Sequence, residues 1–138
     1  MISKQVMTSD DAFKVLQAAQ QEAAAHQWAV SIAVCDDGGH LLAFVRMPGA
    51  NIASATISQA KAATAAQMKR ETKGIEEMIN GGRFAFLSAP KLEGLLEGGA
   101  PVLIDGQCVG AMGVSGVKAP EDAQVAKTGI EALLRSLP

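Results

Sequence analysis

Between Thr8 and His26 apolar residues recur at roughly helical spacing, at Phe13, Leu16, Ala19 and Ala23 and on to Trp28. Lys14, Gln17, Gln20 and Gln21 fall on the wetter side. Thr8 is a fitting cap, Asp10 and Asp11 stand in the first turn where the helix dipole favours anions, and no Gly or Pro interrupts. The pattern predicts an amphipathic helix. The period then shortens. Ala29–Cys35 and Leu41–Val45 are β-rich runs separated by Asp36-Asp37-Gly38-Gly39, and successive glycines supply the positive φ that a tight turn demands. These runs predict an antiparallel hairpin with Arg46–Ala50 as its exit loop.

A second helix is expected over Ile52–Thr72, with Asn51 as cap and a stripe of Ile57, Ala60, Thr64, Ala65 and Met68. Lys69, Arg70 and Lys73 lie towards its end, where cations suit the dipole. A short helical turn follows at Ile75–Ile79. From Arg83 to Leu96 no period is legible, and Phe84, Phe86 and Leu87 fit either a short strand or a loop. Pro101–Ile104 and Cys108–Ser115 read as strands joined at Asp105-Gly106, a two-residue hairpin signal. Gly110, Gly113 and Gly116 recur every third residue there. Glycine weakens a strand, so its use points to close approach of another backbone, a helix or a ligand. Pro120 opens a last helix with Glu121 and Asp122 in its first turn; Val125, Ile130, Leu133 and Leu134 point inward, and it ends near Arg135. With no repeat or linker, residues 1–138 form one domain. Two hairpins with helices between them predict an α+β fold, a mainly antiparallel sheet flanked by helices.

Composition narrows the function. The net charge is −2, and the 12 Lys and Arg are scattered, so no basic stripe exists for a phosphate backbone and nucleic acid is not expected as a partner. No apolar run approaches the roughly 20 residues of a membrane span, and Met1–Asp10 lacks the pattern of a signal peptide, so a cytoplasmic chain is expected. Cys35 and Cys108 are too few for a disulfide framework and lack zinc-site spacing; they read as two buried small hydrophobes. Aromatic residues make up only 4%, and tyrosine is absent. A core of Ala, Val, Ile and Leu gains less per residue than one built on rings, and small side chains make flat helix faces, so a homo-oligomer is expected.

Three segments carry a family resemblance. Val30–Ala50 (VSIAVCDDGGHLLAFVRMPGA), Ser58–Ala65 (SQAKAATA) and Gly98–Gly116 (GGAPVLIDGQCVGAMGVSG), the last followed by Glu121-Asp122, resemble in order the first hairpin, second helix and signature hairpin of the GlcG/HbpS family of small haem-binding proteins. The resemblance implies a profilin-like fold with an antiparallel sheet of about five strands flanked by helices. It also implies assembly from dimers into tetramers to octamers, and binding of haem or a related tetrapyrrole. Relatives include the C-terminal domain of PduO-type proteins. Where the family more commonly has an acidic residue in the exit loop, this chain has Pro48, which stiffens the loop and removes an N–H donor.

Haem iron takes His, Cys thiolate, Met or Tyr as axial donor, and no C-x-x-C-H motif for covalent attachment is present. His26 and His40 are the only imidazoles and so the candidate iron ligands. A structural use competes at both: His26 suits a helix C-terminus, and His40 a solvated turn. In the family a threonine oxygen is implicated in haem contact, which brings in Thr64 and Thr72 on the second helix. Arg46 and Lys61 are the candidate anion binders, Arg through its planar fork, although a snorkelling Lys would look the same in sequence. Gly98-Gly99-Ala100-Pro101 either presents N–H groups to an anion or forms a plain turn. The cleft is expected between the Arg46–Ala50 loop, the helix near Lys61 and the Gly98–Pro101 loop. A rival reading makes the chain an enzyme acting on a small carboxylic acid, with Arg46 as clamp and Lys61, His40 or Asp105 exchanging protons.

Overall fold

The computed structural model describes residues 1–138. Its elements are α1 (Ser9–Ala25), β1 (Ser31–Asp36), β2 (Leu41–Arg46), α2 (Ala53–Met68), α3 (Thr72–Asn80), β3 (Gly99–Ile104), β4 (Gln107–Ser115) and α4 (Ala119–Ser136). The strands form one antiparallel sheet in the order β2-β1-β4-β3. Helices α1 and α4 cover one face and α2 the other, giving the expected α+β, profilin-like architecture with four strands instead of about five. The missing strand is the illegible stretch. Phe84–Ser88 winds into a 3₁₀ turn, with Phe84 and Leu87 exposed at 64% and 63%, and no neighbouring strand offers it a ladder.

At the start of α1 the Thr8 hydroxyl accepts from the Asp11 N–H at 3.3 Å, and Asp11 Oδ2 accepts from the Thr8 N–H at 2.9 Å. These bonds to Thr8 hold the Asp11 carboxyl below its ordinary pKa, because they favour the ionised form. The buried stripe of α1 is Ala12, Val15, Leu16, Ala19 and Ala23, one residue out of phase with the expected start, and Phe13 is 56% exposed. Together with α4 and the sheet residues Ile32, Val34, Val102, Met112 and Val114, this stripe makes the main core.

The opposite face is built on a different scale. Here β1 and β4 present Ala33, Cys35, Ala111 and Gly113, with Ala33 paired to Gly113 and Cys35 to Ala111. A Cβ on Gly113 would overlap the Ser58 carbonyl oxygen and lie 2.9 Å from Lys61 Cβ. Such close approach admits only small or end-reaching side chains. The buried face of α2 is therefore Ser54, Ser58, Lys61, Ala62, Thr64, Ala65 and Ala66, while the expected Ile57, Ala60 and Met68 sit half-buried at its flanks. Inside the layer the Ser31 and Ser54 hydroxyls bond each other at 2.8 Å. The helix also stops short of Thr72, because Lys69 turns left-handed at φ 56°, and α3 starts as a separate helix.

Gly113→Ala is expected to lower the unfolding free energy in urea titrations by about 3 kcal/mol, the overpacking cost where backbone itself is in the way. Phe13→Ala should stay within about 0.5 kcal/mol of wild type, since its side chain faces water.

Candidate functional site

Lys61 projects from α2 yet is only 2% exposed. Its Nζ donates to the Val114 carbonyl at 2.8 Å and to Asp122 Oδ2 at 3.3 Å. Asp122, 3% exposed, stands in the first turn of α4, and its Oδ1 accepts the Val117 N–H at 3.2 Å. Since α2 and α4 lie on opposite faces, the ion pair joins the two layers at the end of the sheet. Gly98 closes it over, with a Cβ there falling 2.7 Å from Nζ. Burial pushes the Asp122 carboxyl up to about 6 against the opposing pull of Lys61. The ammonium is sealed, and no groove reaches it.

The expected threonines are engaged as well. Thr64 Oγ1 donates to the Glu93 carbonyl at 2.6 Å, and Thr72 Oγ1 donates to the Leu96 carbonyl at 2.5 Å while accepting the Gly99 N–H at 2.8 Å. They moor the 93–99 segment to α2 and α3. Gly98 and Gly99 are buried where this segment enters β3, and a Cβ on Gly99 would lie 2.8 Å from Thr72 Cγ2. The glycine pair thus provides clearance for helix packing, and its position holds no anion cradle.

Arg46 ends β2 in the row Arg46–Ser31–Ser115 and is exposed. His40 and Asp105 belong to the two hairpin turns at the other end of the sheet, both exposed. The rival acid-clamping constellation of Arg46, Lys61, His40 and Asp105 is therefore not assembled within one chain. His26 is exposed at the end of α1, stacked on Trp28 with centroids 4.3 Å apart, and its Nε2 lies 3.7 Å from Glu22 Oε2. No surface groove is lined by Arg46, Lys61, Thr64, Gly98, Gly99, His26 or His40, so the expected cleft is absent from the single protomer. Pro101 is the exception.

Pro101 lies in an open groove of about 420 Å³ along the free edge of β3. Ala100, Pro101 and Leu103 from β3 and Ile130 from α4 supply its apolar floor. Lys69 and Arg70, from the break after α2, and Lys127 from α4 supply cations, beside Glu71 and Glu131. Lys127 Nζ pairs with Glu71 Oε1 at 2.9 Å, whereas Lys69 and Arg70 form no ion pair. The Arg70 guanidinium lies across Gly74, where any side chain would displace it. The comparably sized groove of about 380 Å³ beside α3 carries Glu76 and Glu93 and no cation. An apolar floor with two uncommitted cations suits an amphiphilic anion.

A family model described as "Haem degrading protein HbpS-like" matches residues 7–131. The chain belongs to the HbpS-like family. It is 54% identical over 115 residues to Protein GlcG of Escherichia coli, covering 83% of this chain and 85% of that protein. Among solved structures, Klebsiella pneumoniae protein ORFY superposes with a TM-score of 0.89 at 29% identity, over 100% of this chain and 98% of that one. A PduOC:heme complex superposes with a TM-score of 0.82 at 28% identity, over 93% of this chain and 95% of that one.

Two features of this HbpS-like chain escaped sequence reasoning. Asp122 was legible only as a residue of a helix start, since nothing local shows that a lysine from another layer ends beside it. Lys69 and Arg70 were legible as dipole partners, and the left-handed break that turns them towards β3 has no local glycine to announce it.

Lys61→Met should cost about 3–5 kcal/mol in urea unfolding at pH 7, because it strands a buried carboxylate, and Lys61→Met/Asp122→Leu should cost much less. The folded pKa of Asp122 lies above its ordinary value of 3.8, so the folded state holds the extra proton. Its contribution is complete below about pH 4 and is lost as pH rises through about 6. Unfolding titrations should thus find wild type losing ground to Asp122→Asn across that window.

Proposed function

We propose that this chain binds a dicarboxylic tetrapyrrole, haem first among them, in the groove along the β3 edge. The observation that carries the reading is the pairing of an apolar floor with two cations that form no ion pair, along an open groove of ligand size. The floor of Pro101, Leu103 and Ile130 would take the ring. Lys69 and Arg70 would pair with the propionates, Arg through its fork. Membership of a family described by haem degradation, and the structural likeness to a heme complex, support the same ligand. Haem, when bound, supplies redox chemistry at its iron; the residues of the groove supply binding and orientation.

Exposed Phe84, Leu87 and Leu96 support a homo-oligomer assembled from dimers, tetramer to octamer, in which another copy covers them. No helix is long and apolar enough to cross a membrane, and two free, buried thiols are in keeping with a cytoplasmic setting. Light scattering should then give a mass that is a multiple of 14.2 kDa.

Titrating the protein with hemin tests the ligand. Wild type should give a saturable change in the Soret band, and Lys69→Ala/Arg70→Ala should weaken it about tenfold or more, as expected for charged hydrogen bonds. Arg46→Ala should leave it unchanged. A non-saturable response, or equal affinity in the double variant, would overturn the assignment.

A further inference from the structure

The chemistry lining the β3-edge groove also says which part of a tetrapyrrole is read. Its side chains are Lys, Arg, Glu, Ala, Pro, Leu and Ile, and none is a His, Cys, Met or Tyr, the usual donors to haem iron. Both histidines and Cys108 lie away from the groove. His40 belongs to β2's hairpin, on the opposite edge of the sheet from β3, roughly three strand spacings of about 4.8 Å away. His26 faces the outer seam of α1 and α4, its ring stacked on Trp28 and its Nε2 between Glu22 and Gln124. Cys108 is turned inward, its Sγ donating to the Gly110 carbonyl at 3.3 Å. What the groove does offer is charge: Lys69 and Arg70 are unpaired, and two is the number of acid side chains on a protoporphyrin.

We infer that the groove recognises the apolar ring and the two carboxylates of its ligand, and not the metal, so that a metal-free dicarboxylic porphyrin binds as well as haem. This rests on the tetrapyrrole reading above and narrows its ligand class. The ring stacks on Pro101, Leu103 and Ile130 whatever fills its centre. The carboxylates meet Lys69 and Arg70, with Gly74 leaving room for the guanidinium. Affinity then follows charge at the ring's edge.

Three probes separate the possibilities: hemin, protoporphyrin IX, and the uncharged dimethyl ester of protoporphyrin IX, each titrated by absorbance and by quenching of the single tryptophan. Hemin and protoporphyrin IX should bind within about threefold of each other, and the ester about tenfold or more weaker. Lys69→Ala/Arg70→Ala, with unchanged circular dichroism, should bring both acids down to the level of the ester. His26→Ala and His40→Ala should leave the hemin spectrum and affinity as in wild type. Hemin binding more than about tenfold tighter than protoporphyrin IX, or a Soret shift lost with either histidine, would show that iron ligation governs recognition and overturn the inference while leaving tetrapyrrole binding intact. Equal binding of the ester would remove the carboxylate half. Saturable binding of none of the three would overturn the functional reading itself.

Discussion

The ammonium of Lys61 is the group on which the two halves of this molecule meet. It starts on the helix that covers one face of the sheet and ends on a carboxylate from the helix that covers the other, with the Val114 carbonyl as its second acceptor. A charge buried to this depth is tolerable only when its hydrogen-bonding capacity is met close at hand. Much of the unusual local chemistry follows from that requirement. Gly98 has no side chain because one would strike Nζ, and Gly113 has none because α2 must come close enough for the lysine to reach past β4. Ser54, Ser58 and Thr64 share the helix face because larger apolar groups would hold it off the sheet. The larger apolar cluster lies under α1 and α4; under α2 a smaller one of alanine and cysteine is combined with the polar groups that fix how the pieces are joined.

A consequence is that the buried glycine, hydroxyl and amino groups at this end of the sheet are taken up by packing. Every buried side-chain polar atom has a hydrogen-bond partner inside the protein. Along the β3 edge, by contrast, Lys69 and Arg70 are left without an ion pair beside an open apolar floor. Pro101 removes one N–H from that edge, which discourages addition of a further strand and leaves the floor of the groove open. The early end of α2 matters equally. Had it run on to Thr72, as its periodicity implies, Lys69 and Arg70 would have continued the helix surface; the left-handed turn at Lys69 sends the chain towards β3 instead.

Local patterns carried most of the fold. The capped start of α1, the Gly38-Gly39 and Asp105-Gly106 turns and Pro120 at the head of α4 are each set by residues a few positions apart, so the elements, their order and the antiparallel pairing were readable. The glycine period of β4 was also read for what it is, a place of close approach. Failures came where local preference was overruled. Phe13 looked like core by hydrophobicity and faces water, because the burial phase of α1 is set by what α4 and the sheet leave room for. On α2 Thr64 and Ala65 are buried as expected, but Ile57, Ala60 and Met68 slid to the flanks, because the close approach to Gly113 favours smaller groups.

The candidate site divides along the same line. The sequence by itself determined the residue kinds available: no tyrosine, two histidines, scattered cations, and a family-like order of turns. It also determined that β1–β2 and β3–β4 pair antiparallel, since hairpin turns act over a handful of bonds, whereas the β1–β4 pairing joins distant residues. Only the tertiary structure decided that Lys61 is a sealed strut and that Lys69 and Arg70 are free. Whether a cation is neutralised depends on carboxylates dozens of residues away, such as Asp122 for Lys61 and Glu71 for Lys127. Long-range pairing of charge is a property of packed layers, and no period along the chain encodes it.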